Sequence, residues 1–208
     1  MQKFFFVIPL VILNYALTVI FLLQFWVLEA VQYLAYLLYP INDLKIDQPM
    51  INKESIGIIL RGQQSSDLFT KLELQHLLDV HRVFIGFACM IFASLIILFS
   101  WNLKNRKWRI QLSGKELIFT AQSLIVLTIV SAVFFRVFFE AFHQVLFPQG
   151  NYSFPAESTL IQAYPPQFWF LQLIFLQSGV ILLLVVEALL IRRLWVTAQR
   201  PHADTLDL

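Results

Sequence analysis

The chain predicts an all-α integral membrane fold: four transmembrane helices, with two outer segments forming an extracytoplasmic cap. Three observations carry that expectation. Of the 208 residues, 59% are hydrophobic and 21 are Phe, and the mean hydropathy is +0.72, well above a soluble domain. Four apolar runs reach the roughly 20 residues a spanning helix needs, at about 4–26, 83–101, 117–139 and 168–191. Finally, basic residues gather in alternate joints between the runs. Residues 1–208 read as a single membrane domain.

Lys3 precedes the first run, as in a signal peptide. The run continues past Gln24 without a cleavage site of the A-x-A kind, so it reads as a retained signal anchor. Next comes "VLEAVQYLAYLLYPIND", apolar but punctuated by Glu29, Gln32, Tyr33, Tyr36 and Tyr39. Aromatic rings with polar tips suit a membrane interface, which predicts a short interfacial helix ending before Pro40. "PMINKESIGIILRGQQSSD" shows no helical stripe, and "IGIILRG" within it reads as a short strand. Ser65 or Ser66 is then expected to cap a helix, "DLFTKLELQHLLDVHRVF", that continues into the second run.

Between the second and third runs stand Lys104, Arg106, Lys107, Arg109 and Lys115, and the tail carries Arg192, Arg193 and Arg200. The positive-inside rule puts these, and Lys3, in the cytoplasm. Both termini are then cytoplasmic, and about 27–82 and 140–167 are the outer segments. The expected location is a cell membrane, with membrane lipids as neighbours and the site facing outward. Cys89 is the single cysteine, which excludes an intramolecular disulfide and dithiol redox cycling. No phosphate-cradling Gly-rich loop and no nucleic-acid motif is present, so no nucleic-acid partner is expected.

Chemistry is concentrated near two helix ends. His76 and Asp79 lie at i and i+3 on one helix face. There Asp79 either orients the imidazole or pairs with Arg82, which marks the entry into the membrane. His81 falls on a different face. In "FFRVFFEAFHQVLF", Arg136, Glu140 and His143 are spaced i, i+4, i+7 in an apolar setting. Ionisable groups at a membrane edge are costly and normally face a bundle interior or wet cavity. His202, in the polar tail, is read as solvated. Two histidines at one membrane level leave three readings: acid–base catalysis, bis-histidine haem ligation and a metal site. Haem ligands usually sit within spans, and no H-x-x-x-H or H-x-x-E-H run supplies a metal-ligand set. Acid–base chemistry without metal or cofactor fits the location best. A non-enzymatic membrane binding or assembly protein, or a b-type haem protein, is the alternative.

"ELQHLLDVHRVF", followed by "FHQVLFPQGNYSFPAESTLIQAYPPQFW", resembles the bacterial lipoprotein intramolecular transacylase family. The order is similar as well: a span, a long outer segment, the His-x-x-Asp-Val helix, two spans, a Phe-His helix end, a Pro-rich outer loop and a last span. The resemblance implies a substrate, a diacylated lipoprotein with a diacylglyceryl group on its N-terminal cysteine. It implies transfer of the sn-2 acyl chain to the α-amine of that cysteine, giving a lyso-form lipoprotein. The family's two histidines correspond to His76 and His143. On that reading His143 acts as base towards the amine, oriented by the Arg136–Glu140 row. His76, held by Asp79, assists the leaving oxygen or the oxyanion, and the two roles are interchangeable. Asn151 and Tyr152 are candidate oxyanion donors, and Arg82 a candidate substrate contact.

Overall fold

Apolar runs become helices because a backbone in lipid must satisfy its own hydrogen bonds. The computed structural model describes residues 4–38, 46–104 and 114–199, and no strand occurs among them. In chain order the helices are α1 (Phe4–Leu22), α2 (Phe25–Leu38), α3 (Gln48–Arg61), α4 (Lys71–Lys104), α5 (Gly114–Val133), α6 (Phe135–Leu146), α7 (Thr159–Ala163) and α8 (Pro166–Gln199). Three of them, α4, α5 and α8, are long and apolar enough to cross a membrane. The count rises to four if α1 and α2, bent by 76° at their junction, act as one span. The expected first run is therefore interrupted: the α1 helix stops at Leu22, and α2 sets off in a new direction. Arg106, Lys107, Arg109, Arg200 and His202 lie outside the described residues, as does Lys3.

Two apolar cores organise the chain. In the spanning half, α8 packs between α1 and α5, and Leu117, Ala121, Val180, Leu184 and Ala188 are buried together. Polar side chains fasten α1 to α8. Asn14 donates to Glu187 at 3.1 Å, and the Tyr15 hydroxyl donates to Gln177 at 2.8 Å. Small residues let membrane helices approach closely. At Gly179 the approach is so close that a Cβ would lie 2.6 Å from Cγ2 of Thr18.

The second core gathers the shorter helices around the start of α4. Val27, Val31 and Ala35 of α2 meet Ile51 and Ile58 of α3, Leu77 of α4, Leu160 of α7 and Phe168 of α8. A polar seam runs through it. Gln32 and Asn52 exchange amide hydrogen bonds at 3.0 and 2.7 Å, and the Tyr164 hydroxyl donates to Asn52 at 2.9 Å.

Two expectations about the cap are corrected. "IGIILRG" is the C-terminal half of α3, not a strand. Asp47 caps that helix, accepting from the backbone N–H of Met50, and Gly62 ends it in the left-handed region at φ 69°. Burial of Ile51, Asn52, Ser55 and Ile58 on one side supplies a helical stripe that the isoleucine run concealed. The second correction concerns the start of α4. Neither Ser65 nor Ser66 caps it; Thr70 and Glu73 do, as a reciprocal capping box. Thr70 N–H and Oγ1 both donate to Glu73 at 2.8 Å, and Glu73 N–H donates back to Thr70 Oγ1 at 3.4 Å.

Gly179→Val is expected to destabilise the protein by about 1–3 kcal/mol, the usual cost of overpacking. A thermal melt in detergent checks it: Gly179→Ala should shift the midpoint less than Val, and equal midpoints for all three would show that α1 and α8 do not need this close approach.

Candidate active site

α4 is 34 residues long, about 51 Å at 1.5 Å per residue, whereas a hydrocarbon core is about 30 Å thick. Its first turns carry Lys71, Glu73, His76, Asp79, His81 and Arg82, a density of ionisable groups that hydrocarbon excludes. The stretch of α4 apolar enough to span therefore starts near Val83, and α3 and the α6–α8 loop pack against the turns before it. Glu73, His76 and Asp79 follow one another at i, i+3 and i+6, so the histidine sits between two carboxylates along one helix face.

Both carboxylates are anchors for the return loop between α6 and α8. Glu73, only 1% exposed, accepts from the backbone N–H of Leu160 at 2.9 Å as well as from Thr70. Asp79 takes Gln149 Nε2 at 2.8 Å and Asn151 Nδ2 at 2.6 Å on one oxygen. Its other oxygen pairs with Arg82. Between the anchored residues the loop turns at Gly150, whose φ of 78° falls in the left-handed region. The loop thus crosses α4 twice, once on each side of His76.

His143 arrives from α6. This helix is amphipathic: Val137, Phe142 and Val145 are exposed, while Arg136, Glu140 and His143 share the other side. The imidazoles of His76 and His143 stack at 6.2 Å between centroids, with planes 20° apart. Phe147 and Phe154 close on His76 at 4.7 and 5.6 Å. Phe139 and Tyr152 flank His143 at 4.1 and 5.1 Å. The nitrogens differ in role. His143 Nδ1 lies 2.7 Å from the carbonyl of Phe139; a carbonyl only accepts, so Nδ1 carries the proton and Nε2 keeps the free lone pair in the neutral ring. His76 Nδ1 is buried without a hydrogen-bond partner. Burial, then the neighbouring His143, pushes the His76 pKa down to about 4, with Asp79 opposing weakly.

Several expected roles change. Asp79 makes no hydrogen bond to the His76 ring; its partners are Arg82, Gln149 and Asn151. Of the two alternatives, the pairing with Arg82 is the one that forms. The Arg136–Glu140 row does not orient His143; the Phe139 carbonyl does. Arg136 makes no ion pair or hydrogen bond among the described residues and acts on Glu140 only at longer range. Glu140 is instead bound by the Tyr152 hydroxyl at 2.8 Å and by Gln144 at 3.0 Å, which hold its carboxyl below the ordinary carboxylate range. Tyr152 is thereby committed as a donor. One N–H of the Asn151 amide donates to Asp79, its second N–H is uncommitted among the described residues, and its Oδ1 is a buried, unpartnered acceptor. Arg82 keeps unused N–H groups beside an open cleft of about 410 Å³ lined by Gln75, Asp79, Val83, Leu146 and Gln149. Glu73 and Gln149 are the contributors that sequence reasoning missed; "TKLE" is a visible capping box, whereas nothing near Gln149 signals its partner. Lone His81 is structural: Nδ1 donates to the Ile59 carbonyl at 2.8 Å, tying α4 to α3. Among the described residues no three His, Cys, Asp or Glu side chains gather as a metal-binding group.

The fold and site define a helical membrane protein with a histidine pair at one end of its long apolar helices. Residues 3–169 match the family described as lipoprotein intramolecular transacylase Lit, and the chain belongs to that family. A protein of Aquifex aeolicus (strain VF5), named only as uncharacterized, is 31% identical over 103 residues, which cover 49% of this chain and 46% of that protein. The chain thus matches about half the length of this relative. No solved structure matches.

Removing an anchor should loosen the loop without unfolding the helices. Asp79→Ala is expected to speed amide hydrogen exchange at residues 148–152, which lose the ties of Gln149 and Asn151, and Glu73→Ala at 158–161, where the stranded buried N–H of Leu160 costs about 1–3 kcal/mol. Unchanged exchange would mean that the loop is held by other contacts.

The depressed His76 pKa has a consequence for stability. The unfolded chain binds a proton near the ordinary value of 6.5, the folded one only near 4, so acid favours unfolding across that window. The melting temperature should fall from pH 6.5 to pH 4, and His76→Gln should flatten the fall. An identical slope in the variant would place the acid-labile group elsewhere.

Proposed function

We propose that the chain moves the sn-2 acyl chain of a diacylglyceryl-modified lipoprotein to the α-amine of its N-terminal cysteine, giving a lyso-form lipoprotein. One observation carries the reading: the stacking of His76 and His143, brought from α4 and α6 into one aromatic enclosure at the ends of membrane helices. That location suits an amphiphilic substrate, whose acyl chains stay in the bilayer while ester and amine lie at the interface. Family membership supports the reaction class.

The reaction exchanges bonds within one molecule. The amine nitrogen attacks the ester carbonyl carbon, a C–N bond forms, the C–O bond to glycerol breaks, and the proton lost by nitrogen ends on the glycerol oxygen. No electrons, phosphate or added acyl donor are required. Holding amine and ester together supplies as much as about 7–11 kcal/mol of the barrier. His143 is the base: Nε2 has the free lone pair, because Nδ1 is committed to Phe139. His76, neutral at pH 7, relays that proton: it hands its own to the leaving glycerol oxygen while the one taken up by His143 is returned to it, so both rings end neutral. Arg82 has spare N–H groups for the developing oxyanion or a substrate carbonyl. The anchored loop 147–158 keeps bulk water from the ester, where it would hydrolyse rather than transfer. The site is read as facing outward from the bacterial plasma membrane, with cytoplasmic termini, which is where diacylated lipoproteins present their N-termini.

The test uses purified protein and a synthetic diacylated lipopeptide. Intramolecular transfer leaves intact mass unchanged, but fragmentation should show one acyl group moved from glycerol to the cysteine nitrogen. His76→Asn and His143→Asn should each lower the rate at least about a hundredfold, as for a general acid or base. A gain or loss of one acyl mass, or full activity in either variant, would overturn the assignment.

A further inference from the structure

A second site lies on the other side of the cap. α1 has 19 residues, about 28 Å of helix, close to the thickness of a hydrocarbon core. Leu23 and Gln24, just past its end, therefore stand at the level of lipid headgroups. There the α1–α2 bend and α3 enclose an open groove of about 640 Å³. Its walls are apolar, formed by Leu23, Pro49, Met50 and Ile56, and its charged members are Asp47, Lys53 and Arg61. Asp47 is engaged in capping α3, accepting from Met50 N–H at 3.2 Å. Lys53 and Arg61 make no hydrogen bond or ion pair with any described residue. Beneath the groove, Leu17 and Ile20 of α1 are exposed, as a surface running into the acyl region would be.

We propose that this groove binds an anionic glycerophospholipid of the leaflet next to the cap. The phosphate is held by Lys53 and Arg61, and the first carbons of the acyl chains lie over Leu23 and Met50 and continue down α1. Charge selects the headgroup: the two free cations exceed the single carboxylate, which favours a net-negative lipid over one whose phosphate is already neutralised by its own ammonium. The apolar walls select a lipid over a free anion. A bound lipid would join α1 to α3 across the bend and so brace the cap. The site is separate from the histidine pair and does not depend on what that pair catalyses.

Binding of dioctanoyl phosphatidylglycerol to the detergent-purified full chain, followed by thermophoresis, tests it. Wild type should bind this lipid more tightly than dioctanoyl phosphatidylcholine. Lys53→Gln/Arg61→Gln should weaken binding about thirtyfold, the scale expected for two basic residues at an anionic membrane surface. The charge-conserving Lys53→Arg/Arg61→Lys variant should retain affinity, as should Lys71→Gln, which alters an exposed cation elsewhere on the cap. Equal binding to the neutralised double variant, or to the zwitterionic lipid, would overturn the proposal. So would competition by inorganic phosphate or glycerol phosphate at concentrations matching the lipid, which would mark a free-anion site.

Discussion

Two buried carboxylate contacts on α4 hold the site together. Glu73 and Asp79 stand one turn before and one turn after His76, and each grips the return loop between α6 and α8. Glu73 serves two helices at once, closing the capping box of α4 with Thr70 and receiving the N–H of Leu160 at the start of α7. Asp79 gathers Arg82, Gln149 and Asn151. Charge-assisted hydrogen bonds of this kind are roughly twice as strong as neutral ones, and Glu73 cannot be removed without stranding the buried N–H of Leu160. With the loop fixed on both sides, Phe147 and Phe154 wall the His76 ring, and the last turn of α6 lies within stacking distance of α4.

The division of labour along α4 explains how polar chemistry coexists with a membrane helix. Its length exceeds the bilayer, so one end stands clear of hydrocarbon and is buried by protein instead. Burial there keeps His76 neutral, whereas the Phe139 carbonyl fixes which nitrogen of His143 is basic. Two imidazoles in stacked contact disfavour two positive charges, which suits a pair that shares one proton. α6 meets the bilayer differently. Val137, Phe138, Phe142 and Val145 face outward while His143 turns to His76, so the site borders an apolar outer face.

Much of this was legible in the sequence. The apolar runs gave α4, α5 and α8, the helices long and apolar enough to cross a membrane, because twenty consecutive apolar residues have few other uses. His76 and His143 stood out because imidazoles at span ends are costly without a purpose. The misreadings have physical causes. A single Gln24 does not announce a 76° bend. A run of isoleucines resembles a strand until the burial of Asn52 and Ser55 reveals a helical face. Asp79 was expected to orient His76 or to pair with Arg82; the Arg82 pair forms, and what the sequence hid is that Gln149 and Asn151, some seventy residues away, add two further donors. Arg136 and Glu140 share a face at ideal spacing, yet both are exposed, where such pairs contribute little; Tyr152 and Gln144 offer Glu140 better-placed partners.

The central claim is that His76 and His143 act as one unit on one proton. A double-mutant cycle on the transfer rate tests it most directly. Residues that act together are strongly non-additive, so His76→Asn/His143→Asn should be no slower than the slower single variant. Losses that multiply in the double variant would mean that the two histidines act independently, and would contradict the account.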